Sequence, residues 1–105
     1  MKVYNISFQI DPALEFQWLE WMKNNFIPSL MSSQSFTENK FYQIKVNADQ
    51  SPTYTLQLYC DNIELWRAYQ ELQANDHLKE VQHAWGEKCY YFCSEMQIVN
   101  WMWID

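Results

Sequence analysis

Apolar and polar positions alternate along some stretches of this chain and recur at helical spacing along others, and the two patterns take turns. In residues 2–10, Tyr4, Ile6, Phe8 and Ile10 alternate with Asn5, Ser7 and Gln9, which predicts a strand with one dry face and one polar, uncharged face. Asp11-Pro12 then supplies an N-cap and a proline at the first helical position. On a helical wheel, Leu14, Trp18, Leu19, Trp21, Met22 and Phe26 fall within an arc of about 160° at 100° per residue, with Gln17, Glu20, Lys23 and Asn24 opposite. Glu15 sits inside the apolar arc but in the first turn, where a carboxylate suits the helix dipole. Phe16 lies on the polar side, which predicts exposure or contact with a partner. Pro28 disfavours helical geometry at Ile27, so a kink or restart is expected before the Leu30-Met31 turn.

A second strand is predicted over residues 36–47, with Tyr42, Ile44 and Val46 on one face and Phe41, Gln43 and Lys45 on the other. The polar stretch from Asn47 to Pro52 reads as a hairpin loop. Residues 53–60 form a third strand, with Tyr54, Leu56, Leu58 and Cys60 inward and Thr55, Gln57 and Tyr59 outward. Asp61-Asn62 caps a helix whose sheet-facing arc is read as Leu65, Trp66, Ala68, Tyr69 and Leu72. Asn75-Asp76 suggests a break and a second cap, after which Leu78, Val81 and Trp85 continue to a stop at Gly86. From Lys88 to about Trp103 the pattern is β-like again: Tyr90, Phe92, Met96 and Ile98 on one face, Tyr91, Cys93, Glu95 and Gln97 on the other.

The order β-α-β-β-α-β predicts an α+β, ferredoxin-like subunit: a four-stranded antiparallel sheet with both helices on its dry face. A chain of 105 residues without a linker or repeat is expected to be one domain, residues 1–105. The polar sheet face is then the informative one. It would gather Gln9, Gln43, Gln57, Tyr59, Tyr91, Glu95 and Gln97, together with Asn5, Ser7, Lys45 and Cys93. This is neutral hydrogen-bonding chemistry mixed with aromatic rings. An ordinary solvated sheet surface would carry the same polarity without any partner. The alternative is a dimer of the α/β barrel type, with two sheets packed face to face around an interior able to hold water or a small ligand. Phe16, Trp101 and Trp103 are the apolar residues expected at an interface.

Composition sharpens this reading. Six Trp, seven Tyr and six Phe exceed what so small an interior needs, which points to self-association or an apolar pocket. A formal charge of −6 and the lack of any Lys/Arg cluster argue against nucleic acid and against an anionic membrane surface. The alternating N-terminus does not read as a signal peptide, and no segment approaches the roughly 18 apolar residues of a bilayer span. Three cysteines, none in a Cys-x-x-Cys pair, fit reduced thiols and a cytoplasmic location.

Candidate chemistry is sparse. His77 and His83 lie about 120° apart on one helix, so they cannot share a metal and are read as surface histidines. Cys89 and Cys93, roughly 13 Å apart along a strand, cannot pair with each other and show no neighbouring base. Glu15 and Glu95 are the carboxylates best placed for partial burial and a raised pKa. A single glycine excludes a Gly-rich phosphate cradle. No catalytic, metal or cofactor residues are assigned.

The run Trp18-Leu19-Glu20-Trp21-Met22, followed by Ile27-Pro28-Ser29-Leu30-Met31 and Phe36, resembles the domain-of-unknown-function 4286 family of small bacterial proteins. Val3-Tyr4-Asn5-Ile6, Tyr54 to Tyr59, and Trp85-Gly86-Glu87-Lys88 are similar too. The resemblance implies a ferredoxin-like subunit of the kind that often forms dimeric α/β barrels, and implies no activity. Family members commonly carry a His before the Ile-Pro step and a Gly before the Phe, where this chain has Phe26 and Ser35, and a His in the second helical region, where it has Gln73 or Val81. The functional expectation is a non-catalytic homodimeric binding or interaction module. The alternatives are a small-molecule-binding protein using the polar sheet face and an enzyme of the dimeric monooxygenase type, the last by fold analogy alone.

Overall fold

β1 (Lys2–Ile10) runs through the middle of a four-stranded sheet in a computed structural model that describes residues 1–99. It pairs antiparallel with β3 (Thr53–Cys60) on one side and with β4 (Cys89–Gln97) on the other, and β2 (Glu38–Ile44) adds to the far edge of β3. The sheet order is therefore β2-β3-β1-β4. Trp101 and Trp103, and the predicted extension of the last strand, lie outside the described residues.

The first helical layer starts as expected: the Asp11 carboxylate accepts a hydrogen bond from the Ala13 amide, and a 3-10 turn at Pro12–Leu14 leads into α1 (Glu15–Trp21). Pro28 does not break the helix. A wide π turn spans Met22–Phe26, in which the Ile27 amide reaches the Met22 carbonyl five residues back, and α2 (Ile27–Ser32) continues from it. The extra residue opens the backbone where a proline ring would otherwise press on the carbonyl four residues before it. It also resets the face. Trp18, Met22, Phe26 and Leu30 are fully buried. A four-residue step drifts about 40° per repeat on a regular helix at 100° per residue, and the wide turn takes up part of that drift.

The second helical layer is α3 (Ile63–Leu72) and α4 (Ala74–Trp85). The Asn62 side chain accepts from the Glu64 and Leu65 amides, satisfying two of the helix's unpaired donors. The break falls at Gln73, not at Asn75-Asp76, and Asp76 lies in the first turn of α4. Only Trp66 and Tyr69 of the predicted α3 arc are buried, and Leu65 and Leu72 are exposed. Gly86 adopts a φ of +55°, a conformation side-chain-bearing residues rarely take, and ends α4 as expected.

His77 corrects a reading from the sequence. It is buried in the core-facing stripe of α4, and its Nδ1 lies 2.7 Å from the Tyr69 hydroxyl. His83 is exposed. Burial holds the His77 imidazole below the ordinary 6.5, against the opposing pull of Glu80 and Asp76. The folded state thus favours the neutral ring. Its stabilising contribution is complete above the unfolded value and is lost as pH falls through the lowered folded value, because the unfolded chain takes up the proton first. The urea midpoint is expected to fall between pH 7.5 and pH 5 by more in the wild type than in His77→Gln. Equal acid shifts in the two proteins would remove His77 as the cause.

The register assigns each strand residue a face, since directly paired residues share one. Tyr4, Ile6 and Phe8 pair with Leu58, Leu56 and Tyr54, and with Glu95, Cys93 and Tyr91. Leu58, Leu56 and Tyr54 in turn pair with Asn39, Phe41 and Gln43. The reading of β1 and β3 holds, but the phases of β2 and β4 are reversed. Gln43, Tyr91, Glu95 and Gln97 belong to the helix-covered side, where Phe41 lies 6.0 Å from Trp18 and 5.6 Å from Tyr54, ring to ring. Tyr42, Ile44, Tyr90, Phe92 and Met96 belong to the opposite side.

Candidate functional site: the open sheet face

With both helical layers on one side, the other side of the sheet has no covering element among the described residues. Its centre is polar and already paired. Thr55 Oγ1 donates to Asn5 Oδ1 at 2.7 Å, Asn5 Nδ2 donates to Ser7 Oγ at 3.2 Å, and the Tyr59 hydroxyl donates to Gln57 Oε1 at 2.8 Å. Lys40 holds its ammonium 5.4 Å from the centre of the Tyr59 ring. These side chains therefore shed water at low cost, because a polar group that keeps its hydrogen bond loses little on burial.

The edges are apolar toward the Gln9–Thr53 end of the face, whereas Glu38 and Lys40 hold the other half of β2 and Ser94 interrupts β4. On β4, Tyr90 is 75% exposed, Phe92 67% and Met96 38%; on β2, Tyr42 is 46% and Ile44 41%. Val3, between Tyr59 and Met96 in the register, is buried on this same face. Over the Gln9–Thr53 part of the face, apolar side chains of β2 and β4 thus flank a trough of polar side chains. At one end the trough deepens to a hollow of about 370 Å³ lined by Ser7, Gln9, Thr53, Tyr90 and Phe92, with Phe8 and Tyr91 between them. Larger hollows lie nearby and differ in character. One of about 510 Å³ runs beside Gly86 and includes Glu87, and one of about 430 Å³ includes Asp11, Glu87 and Lys88. Both are charged crevices around the strand ends; they share Tyr90 with the uncharged hollow, and the smaller one also shares Gln9.

Of the residues expected on this face, Gln9, Gln57 and Tyr59 are there. The structure does not bring Gln43, Tyr91, Glu95 and Gln97 to it. Glu95 and Gln97 instead meet Lys2, whose Nζ lies 2.8 Å from a Glu95 carboxylate oxygen and 3.1 Å from Gln97 Oε1. The Lys2 contact holds the Glu95 carboxyl below its ordinary range, the reverse of the shift an acid catalyst needs. Glu15 accepts from the Tyr54 hydroxyl at 2.5 Å, and burial with this bond pushes the Tyr54 phenol up to about 12. Phe16 is 76% exposed on the helical layer. Sequence reasoning missed Tyr42, Ile44, Tyr90, Phe92 and Met96 as face residues.

The Cys89 thiol is poorly suited to nucleophilic work. Burial pushes the Cys89 thiol up to about 11, and the Cys93 sulfur accepts from the Tyr4 hydroxyl at 3.4 Å. Among the described residues, no group of three His, Cys, Asp or Glu could hold a metal ion, and no helix is long and apolar enough to cross a membrane.

The strand order and the one-sided helical layer define a ferredoxin-like α+β subunit with an open sheet face. The chain belongs to the family described as Domain of unknown function (DUF4286), whose model matches residues 1–99. No curated protein is a significant match in sequence. Among solved structures, a dimeric ferredoxin-like protein from an uncultured marine organism is 11% identical with a TM-score of 0.65, covering 97% of this chain and 98% of that one. A protein of the ethyl tert-butyl ether d (EthD) family from Bacillus halodurans is 16% identical with a TM-score of 0.64, covering 92% and 100%. A protein from Deinococcus radiodurans assigned to the antibiotic biosynthesis monooxygenases is 6% identical with a TM-score of 0.63, covering 100% and 99%. At these identities the likeness is one of fold.

Proposed function

We propose that this chain is a single-domain, cytoplasmic, non-catalytic binding module that works as a homodimer, two copies closing their open sheet faces on each other in the manner of a dimeric α/β barrel. The observation that carries this reading is the makeup of the face: a polar centre whose hydrogen bonds are satisfied within the chain, between edges of exposed Tyr90, Phe92, Tyr42 and Ile44. A sheet face meant for water has no need of large rings on both edge strands, and exposed apolar area of this kind marks an interaction surface. The dimeric ferredoxin-like protein among the structural neighbours supports self-association. Three free thiols, two of them buried, suit a reducing compartment.

A second reading, small-molecule binding, is favoured by the uncharged hollow at the end of the trough. The monooxygenase reading rests on fold likeness and draws support from no particular residue of this chain.

Light scattering on the full chain tests the assembly. Twice the 12.8 kDa chain mass is expected at micromolar concentration, and a chain that stays at single mass up to high micromolar concentration overturns it.

A further inference from the structure

We infer that the hollow at Gln9 is a binding site for an uncharged, flat aromatic molecule bearing a hydrogen-bonding oxygen, with the second copy of the chain as its lid. This rests on the face-to-face assembly proposed above, since the hollow opens onto the face that assembly would close. Three features of the lining select the ligand class.

The first is the aromatic wall. Tyr90 and Phe92 stand two residues apart on one face of β4, and they are the two most exposed aromatic rings of the sheet. Rings held in this way offer offset or edge contacts to a flat π system. The second is the polar row. Gln9 pairs with Thr53 on one side and Tyr90 on the other, so the three side chains cross the end of the trough together. Thr53 Oγ1 is engaged with the Ser51 carbonyl and Ser7 Oγ with Asn5. The Gln9 amide makes no hydrogen bond among the described residues, leaving a donor and an acceptor for a ligand oxygen. The third is charge. No Asp, Glu, Lys or Arg lines this hollow, whereas both neighbouring hollows carry charged groups. An ionic ligand closed in here would be left unpaired, at a large desolvation cost. A volume of about 370 Å³ is at the small end of ligand sites.

The test is equilibrium dialysis of 2-naphthol against the full chain at pH 7, with light scattering on the same samples and naphthalene-2-sulfonate as the charged counterpart. Saturable binding of one naphthol per subunit is expected, at least tenfold weaker for the sulfonate and about five- to tenfold weaker in Gln9→Ala, the loss of roughly one hydrogen bond. A dimer that binds no naphthol overturns the site and leaves the assembly standing, with the partner's own side chains filling the hollow. Equal binding of naphthol and sulfonate, or binding indifferent to Gln9→Ala, overturns the site as well. A monomeric chain overturns the assembly, and the lidded site with it.

Discussion

Trp18→Ala is expected to cost about 3–5 kcal/mol of folding free energy, the range for removing a buried large aromatic side chain. Trp18 is wholly buried, and its ring lies 5.3 Å from Phe8, 5.1 Å from Tyr54 and 6.0 Å from Phe41. Those three rings come from β1, β3 and β2, so one indole ties the first helical layer to three of the four strands. A domain of this size holds only about 5–15 kcal/mol in all, and the variant is expected to be partly unfolded at 37 °C. The indole N–H is buried without a hydrogen-bond partner among the described residues. Trp18→Phe therefore gives up shape and area but no hydrogen bond, and is expected to lose markedly less. Urea denaturation followed by circular dichroism at 222 nm reads both. A Trp18→Ala loss below about 1 kcal/mol would mean that the ring does not tie the two layers together.

The sequence pattern is legible where a strand is buried on one face and polar on the other. From Tyr4 onward in β1 and throughout β3, apolar and hydrogen-bonding side chains alternate, and both the position and the phase of these strands follow from that contrast. The edge strands lack it. Phe41 stands beside Tyr42, and Tyr90, Tyr91 and Phe92 are consecutive, so either phase presents a stripe of rings. Assigning the stronger apolar stripe to the core gives the wrong face on both strands, because Tyr42, Ile44, Tyr90, Phe92 and Met96 are directed away from it. A slip of one residue exchanges the two faces completely. The same failure is informative: on both edge strands, the stripe apolar enough to pass for core is the one left uncovered.

Two other departures have local causes. The four-residue spacing of Trp18, Met22, Phe26 and Leu30 through a proline is the signal for a wide turn, since a regular helix at 3.6 residues per turn would carry Leu30 well off the stripe. His77 reads as a surface residue because it is polar, yet it continues the Ala74–Val81 stripe and has a phenol to pair with.

Phe92→Lys is expected to dissociate the proposed dimer while leaving the fold intact. Phe92 sits opposite Ser7 on the open face and is 67% exposed, so its own chain gains little from it. At a closed sheet–sheet contact the ring would be an anchor, and a lysine in its place would put an unpaired ammonium between two sheets. Truncating such anchors costs about 2 kcal/mol or more, and the charge adds to this. The dissociation constant is then expected to rise at least 30-fold, giving single-mass protein at micromolar concentration by light scattering with an unchanged far-ultraviolet spectrum. Phe16→Lys is the control that decides between faces. Phe16 is 76% exposed but on the helical layer, so this change is expected to leave the dimer mass alone. Should Phe16→Lys separate the subunits and Phe92→Lys not, association runs through the helices, and the open face is a wet surface after all.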